Sequence, residues 1–175
     1  MEHWIQYRLM KAGEEREISD LVIRVFNEFV AHQYSEQGIQ EFLKYIEPQR
    51  LLKRCNEDGF VFIAKTKDKI VGMIELIGSS HIALFFVEGD LQKIHIGREL
   101  LRKSLEFCRK NNPRLTRITV NSSPNAVDIY KKLGFTVVAH EEEKNGIRFI
   151  QMQLGISNSS DPLPTHMYRS SELVV

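Results

Sequence analysis

The sequence predicts a layered α/β domain built on a mixed sheet, and three observations carry that expectation. Short runs rich in Val, Ile and Phe alternate with longer segments whose apolar residues recur every three or four positions, the patterns of strands and of amphipathic helices. Some strand-like runs follow one another across tight polar turns, whereas others are separated by a helical crossover. The resulting order is β-α-α-β-β-β-α-β-α-β-β, without an internal repeat.

The elements are justified in chain order. Residues 4–10 read as a first strand. Residues 14–32 read as a helix, with Ile18, Leu21, Val22, Val25, Phe26 and Phe29 at helical spacing and Glu14, Glu15 and Glu17 suited to the first turn. Residues 35–56 continue as helix, broken at Pro48, with Phe42, Leu43, Ile46, Leu51 and Leu52 as the apolar face. Residues 60–65 and 70–77 are strands joined by the turn Lys67-Asp68-Lys69. Residues 82–87 form a continuously apolar strand, expected at the centre of the sheet. Residues 97–110 are a helix with Leu101, Leu105 and Cys108 on one face beside Leu100 and Ser104.

A further strand follows at 117–120. Ser123-Pro124 then starts a helix, with Ser as N-cap and Pro at the first position. Ala126, Ile129, Tyr130 and Leu133 share one face, and Gly134 is expected to stop the helix. Residues 135–140 and 147–154 are strands around Lys144-Asn145-Gly146, and Asn-Gly is the strongest short hairpin signal. Residues 1–154 are expected to form one domain. The stretch 155–175, rich in Ser and Pro, reads as a C-terminal extension, flexible or partner-contacting.

The composition limits the function. The chain has 175 residues, 42% of them apolar, enough for a core in a single domain. Lys and Arg number 24 against 23 Asp and Glu, a balance that argues against a general nucleic-acid binder. Cys55 and Cys108 have no metal-like spacing and read as reduced thiols, and no metal is expected. No apolar run approaches the ~20 residues that span a bilayer. Met1-Glu2-His3-Trp4 lacks the basic and apolar regions of a signal peptide. A cytoplasmic protein that engages neither membrane nor nucleic acid is therefore expected.

Two segments carry chemistry. In 84–101 an apolar strand ends in a short polar loop that opens into a helix. The first N–H groups of a helix have no internal partner and carry the positive end of its dipole, so such a loop suits a pyrophosphate. It is neither the dinucleotide fingerprint nor a Walker loop, which need Gly-x-Gly-x-x-Gly and Gly-Lys-Ser/Thr. The second segment, 121–135, places Asn125, Ala126, Tyr130, Leu133, Gly134 and Phe135 in sequence.

Together these segments resemble the acetyl-CoA motifs of the GNAT superfamily of N-acetyltransferases. Gln92, Ile96 and Gly97 match the first motif, with His95 at the place of its first glycine. Asn125, Ala126, Tyr130, Leu133, Gly134 and Phe135 match the second, and Lys69-Ile70-Val71-Gly72 is similar to the family's third strand. The resemblance runs over 4–154. It implies an acyl-CoA N-acyltransferase fold, a mixed, mostly antiparallel sheet of about seven strands with helices on both faces.

The resemblance also implies a site. Backbone N–H groups of the 92–98 turn (Gln92, Lys93, Ile94, His95, Ile96, Gly97 and Arg98) would hold the pyrophosphate. The pantetheine arm would lie in a splay between the strand ending at Val87 and the strand ending at Asn121, beside Phe86. A backbone N–H near Val87 would bond the thioester oxygen. Asn125 would bond the cofactor arm, and Tyr130 would protonate the departing thiolate.

Alternatives stand beside these roles. Tyr130 also fits a core tyrosine. His95 either reaches the pyrophosphate or replaces a glycine whose backbone angles did not require one. Glu141-Glu142-Glu143 is a solvated strand end or a greeting for a cationic substrate. The strand at 82–87 has no carboxylate, so Glu75 is the expected general base, with His81, Glu28 and ordered water as alternatives.

The expected function is transfer of an acetyl group from acetyl-CoA to a primary amine, by direct attack in a ternary complex. The acceptor is a small-molecule or peptide amine, and the protein a monomer or homodimer. The second reading is a catalytically weak acyl-CoA-binding sensor or regulatory module of the same fold.

Overall fold

The structure, a computed structural model, describes residues 4–157, and at 92–94 the backbone alone. The extension expected at 155–175 lies almost wholly outside the described residues. Along the chain come β1 (Gln6–Leu9), α1 (Glu15–Phe29), α2 (Glu36–Tyr45), α3 (Pro48–Glu57), β2 (Gly59–Lys65), β3 (Ile70–Ile77) and β4 (His81–Val87). Then follow α4 (Ile96–Asn111), β5 (Arg117–Ser122), α5 (Val127–Lys132), β6 (Thr136–Val137), β7 (Glu142–Lys144) and β8 (Ile147–Gly155). The eight strands form an open sheet in the order β1-β2-β3-β4-β5-β8-β6, with β7 also paired to β8. Every pairing is antiparallel except β4 with β5.

The sheet is covered on both faces, which is why β3 and β4 read as nearly unbroken apolar runs. On one face Ile18, Leu21, Val25 and Phe26 of α1 pack with Phe42, Met73 and Phe86. On the other, Leu100, Leu101 and Leu105 of α4 pack with Ile74, Phe85 and Met152. The helix break at Pro48 stands, because a proline lacks the N–H that a helix interior needs but fits the first position of α3. Gly72 is small because α4 lies against it. A Cβ there would sit 3.0 Å from Leu100 and 3.1 Å from Ile96. That close approach brings the start of α4 beside the end of β4.

One irregularity in β4 decides what the sheet can host. Leu84 pairs with Glu75, yet Ile82 pairs with Leu76, so Ala83 is an extra residue without a counterpart on β3. Such a bulge bends and twists its strand. It also exchanges the faces: Ile82 joins the α4 side, and after the bulge Phe85 and Val87 take that side. Beyond it, β4 and β5 part. Their parallel pairing is confined to His81 with Thr119 and Ile82 with Val120.

Three expectations need correction. The polar loop after β4 is wound as a 3-10 helix over Gly89–Ile94. Ser123 makes no side-chain cap; Pro124–Ala126 instead form a 3-10 turn in which the Ala126 N–H donates to the Ser123 carbonyl, and α5 begins after it. The strand expected at 135–140 reduces to β6, with the chain returning to β8 only at β7. Gly134 does end the helix, at φ +89°, with the Phe135 N–H reaching the Tyr130 carbonyl in a Schellman closure.

Candidate active site

The parting of β4 from β5 opens a cleft. A cavity of about 70 Å³ fills its depth, walled by Phe85, Phe86, Val120, Asn121, Ser123 and Tyr130. A larger cavity of about 360 Å³ continues from it, sharing Tyr34, Phe42, Ile82, Ala83, Leu84 and Asn121. Its far wall is made by α2 on one side and the β7–β8 hairpin on the other.

Tyr130 is brought here by α5. Its ring is clasped edge-on by Phe135, with centroids 5.2 Å apart, and tilted against Phe85 at 6.4 Å. Only 4% of the residue is exposed, and no described group hydrogen-bonds its hydroxyl. Burial, helped by the nearby Tyr34 phenol, pushes its pKa well above the ordinary tyrosine value, so the hydroxyl is a standing donor. Tyr34, which the sequence did not single out, lines both cavities, and burial raises its pKa as well. Its neighbours across the cleft, Tyr130 and Asn121, are remote in sequence, so no local pattern marks it.

The backbone of β4 faces the same cleft. Glu88 donates its N–H to Val71 of β3, and alternation along a strand turns the N–H groups of Phe85 and Val87 the opposite way, toward β5. Val87 is fully buried and Phe86 nearly so, its ring 6.0 Å from Phe42.

At the head of β4 the chain enters α4 through His95. Its φ of +64° and ψ of 14° are left-handed, where a side chain costs about 1 kcal/mol or more. The reading that His95 replaces a glycine whose angles did not require one is thereby corrected: the turn needs a left-handed residue and places a histidine in it. The imidazole Nδ1 lies 3.1 Å from Arg98 Nη1. The first N–H of α4 to find an intrahelical acceptor is that of Glu99, on His95. Those of Ile96 and Gly97 therefore precede the helix ladder and open onto the turn. Gln92, Lys93 and Ile94 form the backbone of the 3-10 helix leading into it.

Asn125 is exposed on the opposite rim. Its N–H lies 3.4 Å from Gln33 Oε1, and its side-chain Nδ2 3.5 Å from His32 Nε2, so the segment after α1 reaches across the cleft. Asn121 lines both cavities.

Glu75 is not in the cleft. It is fully buried on β3, where Arg54 grips both carboxylate oxygens at 2.7 and 3.1 Å. Arg54 also stacks on Tyr45 at 3.8 Å and donates to the Tyr45 carbonyl. Burial raises the Glu75 pKa and Arg54 opposes the rise. A carboxylate buried under a guanidinium and outside both cavities is beyond the reach of an amine in the cleft. Glu28 is exposed on α1, beside Gly89, and also outside both cavities.

His81 does line the larger cavity, at the foot of the splay. Burial lowers its pKa, which keeps the imidazole neutral. Its Nδ1 is 2.9 Å from Thr119 Oγ1, and that hydroxyl is 3.4 Å from the Ser80 carbonyl. If Thr119 donates to Ser80, the imidazole donates from Nδ1 and keeps Nε2 as an acceptor. Among the described residues no cluster of three or more His, Cys, Asp or Glu is arranged to hold a metal, and no helix is long and apolar enough to cross a membrane.

Comparison with known proteins follows the same lines. Residues 30–156 match the acetyltransferase (GNAT) domain family. An N-acetyltransferase of Methanocaldococcus jannaschii is 32% identical over 96 residues, a stretch covering 49% of this chain and 42% of that protein. The chain thus spans less than half the length of this curated relative. The solved GCN5-related N-acetyltransferase of Rhodopseudomonas palustris superposes with a TM-score of 0.74 at 18% identity, over 86% of this chain and 95% of that one. The PaiA N-acetyltransferase of Thermoplasma acidophilum, solved in complex with coenzyme A, gives 0.70 at 19% identity, over 87% and 99%. The ribosomal-protein-S18-alanine N-acetyltransferase of Escherichia coli gives 0.60 at 14%, over 92% and 99%. Identities this low establish the common fold.

Proposed function

Since the chain belongs to the GNAT acetyltransferase family, we propose that it transfers an acetyl group from acetyl-CoA to a primary amine in one ternary complex. The observation that carries this reading is the cleft between β4 and β5, which has Tyr130 in its wall, its hydroxyl bonded by no described group, and the start of α4 at its head.

Each residue has a physical task. The N–H groups at the 92–98 turn, with Arg98 and His95 beside them, suit a pyrophosphate. The arm of the cosubstrate would descend between β4 and β5, past Asn125 and Asn121. The N–H group of Phe85 faces that path and is positioned to bond the thioester oxygen as charge develops on it. A preorganised donor of this kind is worth about 3 kcal/mol in other acyl transfers. The amine attacks the carbonyl carbon, the C–S bond breaks, and the proton lost by the amine must leave the cleft.

His81 takes the place first given to Glu75. An alkylammonium has a pKa near ~10, so a neutral imidazole on the acceptor side receives its proton directly or through water. The Tyr130 hydroxyl hydrogen-bonds the departing sulfur. A phenol of raised pKa stabilises a thiolate by donation more readily than by full proton transfer.

Titration calorimetry with coenzyme A and thiol release with an amine panel test the reading. Binding together with amine-dependent thiol release is the expected result. No binding at millimolar coenzyme A would remove the proposal, and binding without thiol release on any amine would favour the acyl-CoA-binding module.

A further inference from the structure

The chemistry of the larger cavity narrows the acceptor. Resting on the acetyl-transfer reading, we propose that the acceptor is a small monoamine whose amino group is carried on a compact aromatic or similarly apolar body.

The amine end must reach the splay, where Ile82, Ala83, Leu84 and Asn121 belong to both cavities. Behind it, the walls are apolar. Phe42 and Tyr45 on α2 face Ile147 and Phe149 on β8, with Ile77 of β3 between them. These rings are held, not loose. Phe42 stacks on Phe26 with centroids 4.0 Å apart, and Tyr45 is fixed under the Arg54 guanidinium. A flat, rigid body between two such walls buries both of its faces at little entropic cost.

The charges on the walls exclude other amines. Glu41 and Lys144 are the oppositely charged pair among the lining residues, both exposed and at the outer rim. A polyamine or aminoglycoside carries several ammonium groups and needs several carboxylates; this wall supplies one. The acidic run Glu141-Glu142-Glu143 is not part of the wall, and Glu141 is already paired with Arg148. A free α-amino acid would place its carboxylate next to the reacting nitrogen, where Tyr34, Ile82, Ala83 and Leu84 offer no cation.

A strap at one end of the site works against an extended chain threaded through it. The tip of the β7–β8 hairpin is seated on the start of α2, where Ser35 N donates to the Gly146 carbonyl at 3.2 Å. The fit depends on two glycines: a Cβ on Gly38 would lie 2.3 Å from the Gly146 oxygen, and one on Gly146 would lie 1.9 Å from Ser35 Oγ. That strap stands across one end of the space between α2 and β8, so a chain cannot continue past the hairpin tip there.

The test compares 2-phenylethylamine and tyramine with spermidine, kanamycin, glycine and a short peptide, on the full chain with acetyl-CoA. Amine binding by calorimetry is read beside thiol release, and Phe149→Ala and Ile147→Ala are the variants. We expect kcat/KM for the aryl amines to exceed that for the others by at least ~100-fold. Each variant should raise the aryl-amine Kd and KM by roughly 10- to 100-fold while leaving the acetyl-CoA KM within about twofold. Preferential turnover of spermidine, kanamycin, glycine or the peptide overturns the proposal and leaves acetyl transfer standing. So does aryl-amine binding that neither variant weakens, or no aryl-amine binding at ~10 mM, a Kd weaker than about −3 kcal/mol of binding. Aryl-amine binding weakened by both variants, with no thiol release on any amine, supports the pocket's chemistry and overturns acetyl transfer instead.

Discussion

Replacing Tyr130 by Phe takes one oxygen out of the cleft and leaves the packing against Phe135 and Phe85 in place. If that hydroxyl meets the leaving sulfur, kcat should fall by roughly 10- to 1000-fold with coenzyme A affinity nearly constant. The lower end is expected, because a thiolate leaves readily and a buried phenol is a reluctant acid. Stopped thiol-release assays beside calorimetry separate the outcomes: full activity makes Tyr130 a packing residue, and lost coenzyme A affinity makes its hydroxyl an anchor. Tyr130 was legible in the sequence because its neighbours Asn125 and Gly134-Phe135 lie on the same short segment. Glu75 was misread for the converse reason. Its partner Arg54 stands 21 positions earlier on another element, and a lone carboxylate in an apolar strand looks like an available base until its counter-ion is seen. His95 shows a third case, in which the residue type argues against a left-handed turn and the surrounding geometry imposes one.

At the scale of elements, helical and strand periodicities located nearly every segment, since burial on one face writes itself into local spacing. The Asn145-Gly146 turn is likewise written locally: both residues have positive φ, at 52° and 78°, as a two-residue hairpin turn requires. The bulge at Ala83 and the strap between α2 and the hairpin were not legible. A bulge is a mismatch in count between two strands, and the strap joins residues 111 positions apart. The strap supports a prediction. Gly38→Ala forces a methyl group against the Gly146 carbonyl and should lift the hairpin tip from α2. The acceptor KM should then rise severalfold with the acetyl-CoA KM unchanged, and amide hydrogen exchange in β7 should quicken. Unchanged exchange there would mean that α2 yields and the tip stays seated.

For the molecule as a whole, part of the acid stability is tied to a cluster that pins the sheet edge to α1. Arg8 of β1 holds both oxygens of Glu14 at 2.7 and 2.8 Å, and Lys65 of β2 bridges Glu14 and Glu17. The Arg8 hydrogen bonds, with help from the Lys11 N–H and Lys65, hold the Glu14 pKa down to about 2, against an ordinary 4.5. A depressed carboxylate binds fewer protons folded than unfolded. Its stabilisation is therefore complete above the ordinary value and fades as pH falls from 4.5 toward 2. Urea titrations should show Glu14→Gln flattening that acid limb, and a limb of unchanged slope would place the acid sensitivity elsewhere.

The two-position contact between β4 and β5 has a consequence for how the chain opens and closes. Hydrogen-bond ladders carry cooperativity along a sheet, and here the ladder is nearly severed in the middle. Strands β1 to β4 form one continuous ladder and β5, β8, β6 another, joined mainly through α4 and the shared core beneath it. Native-state hydrogen exchange should therefore resolve two cooperative opening units with different free energies instead of one global transition. A molecule lying along the seam would touch both, so saturating coenzyme A should raise protection most in whichever half opens first and draw the two together. The gap proposed to admit acetyl-CoA is then also a fault line, mended only while it is filled.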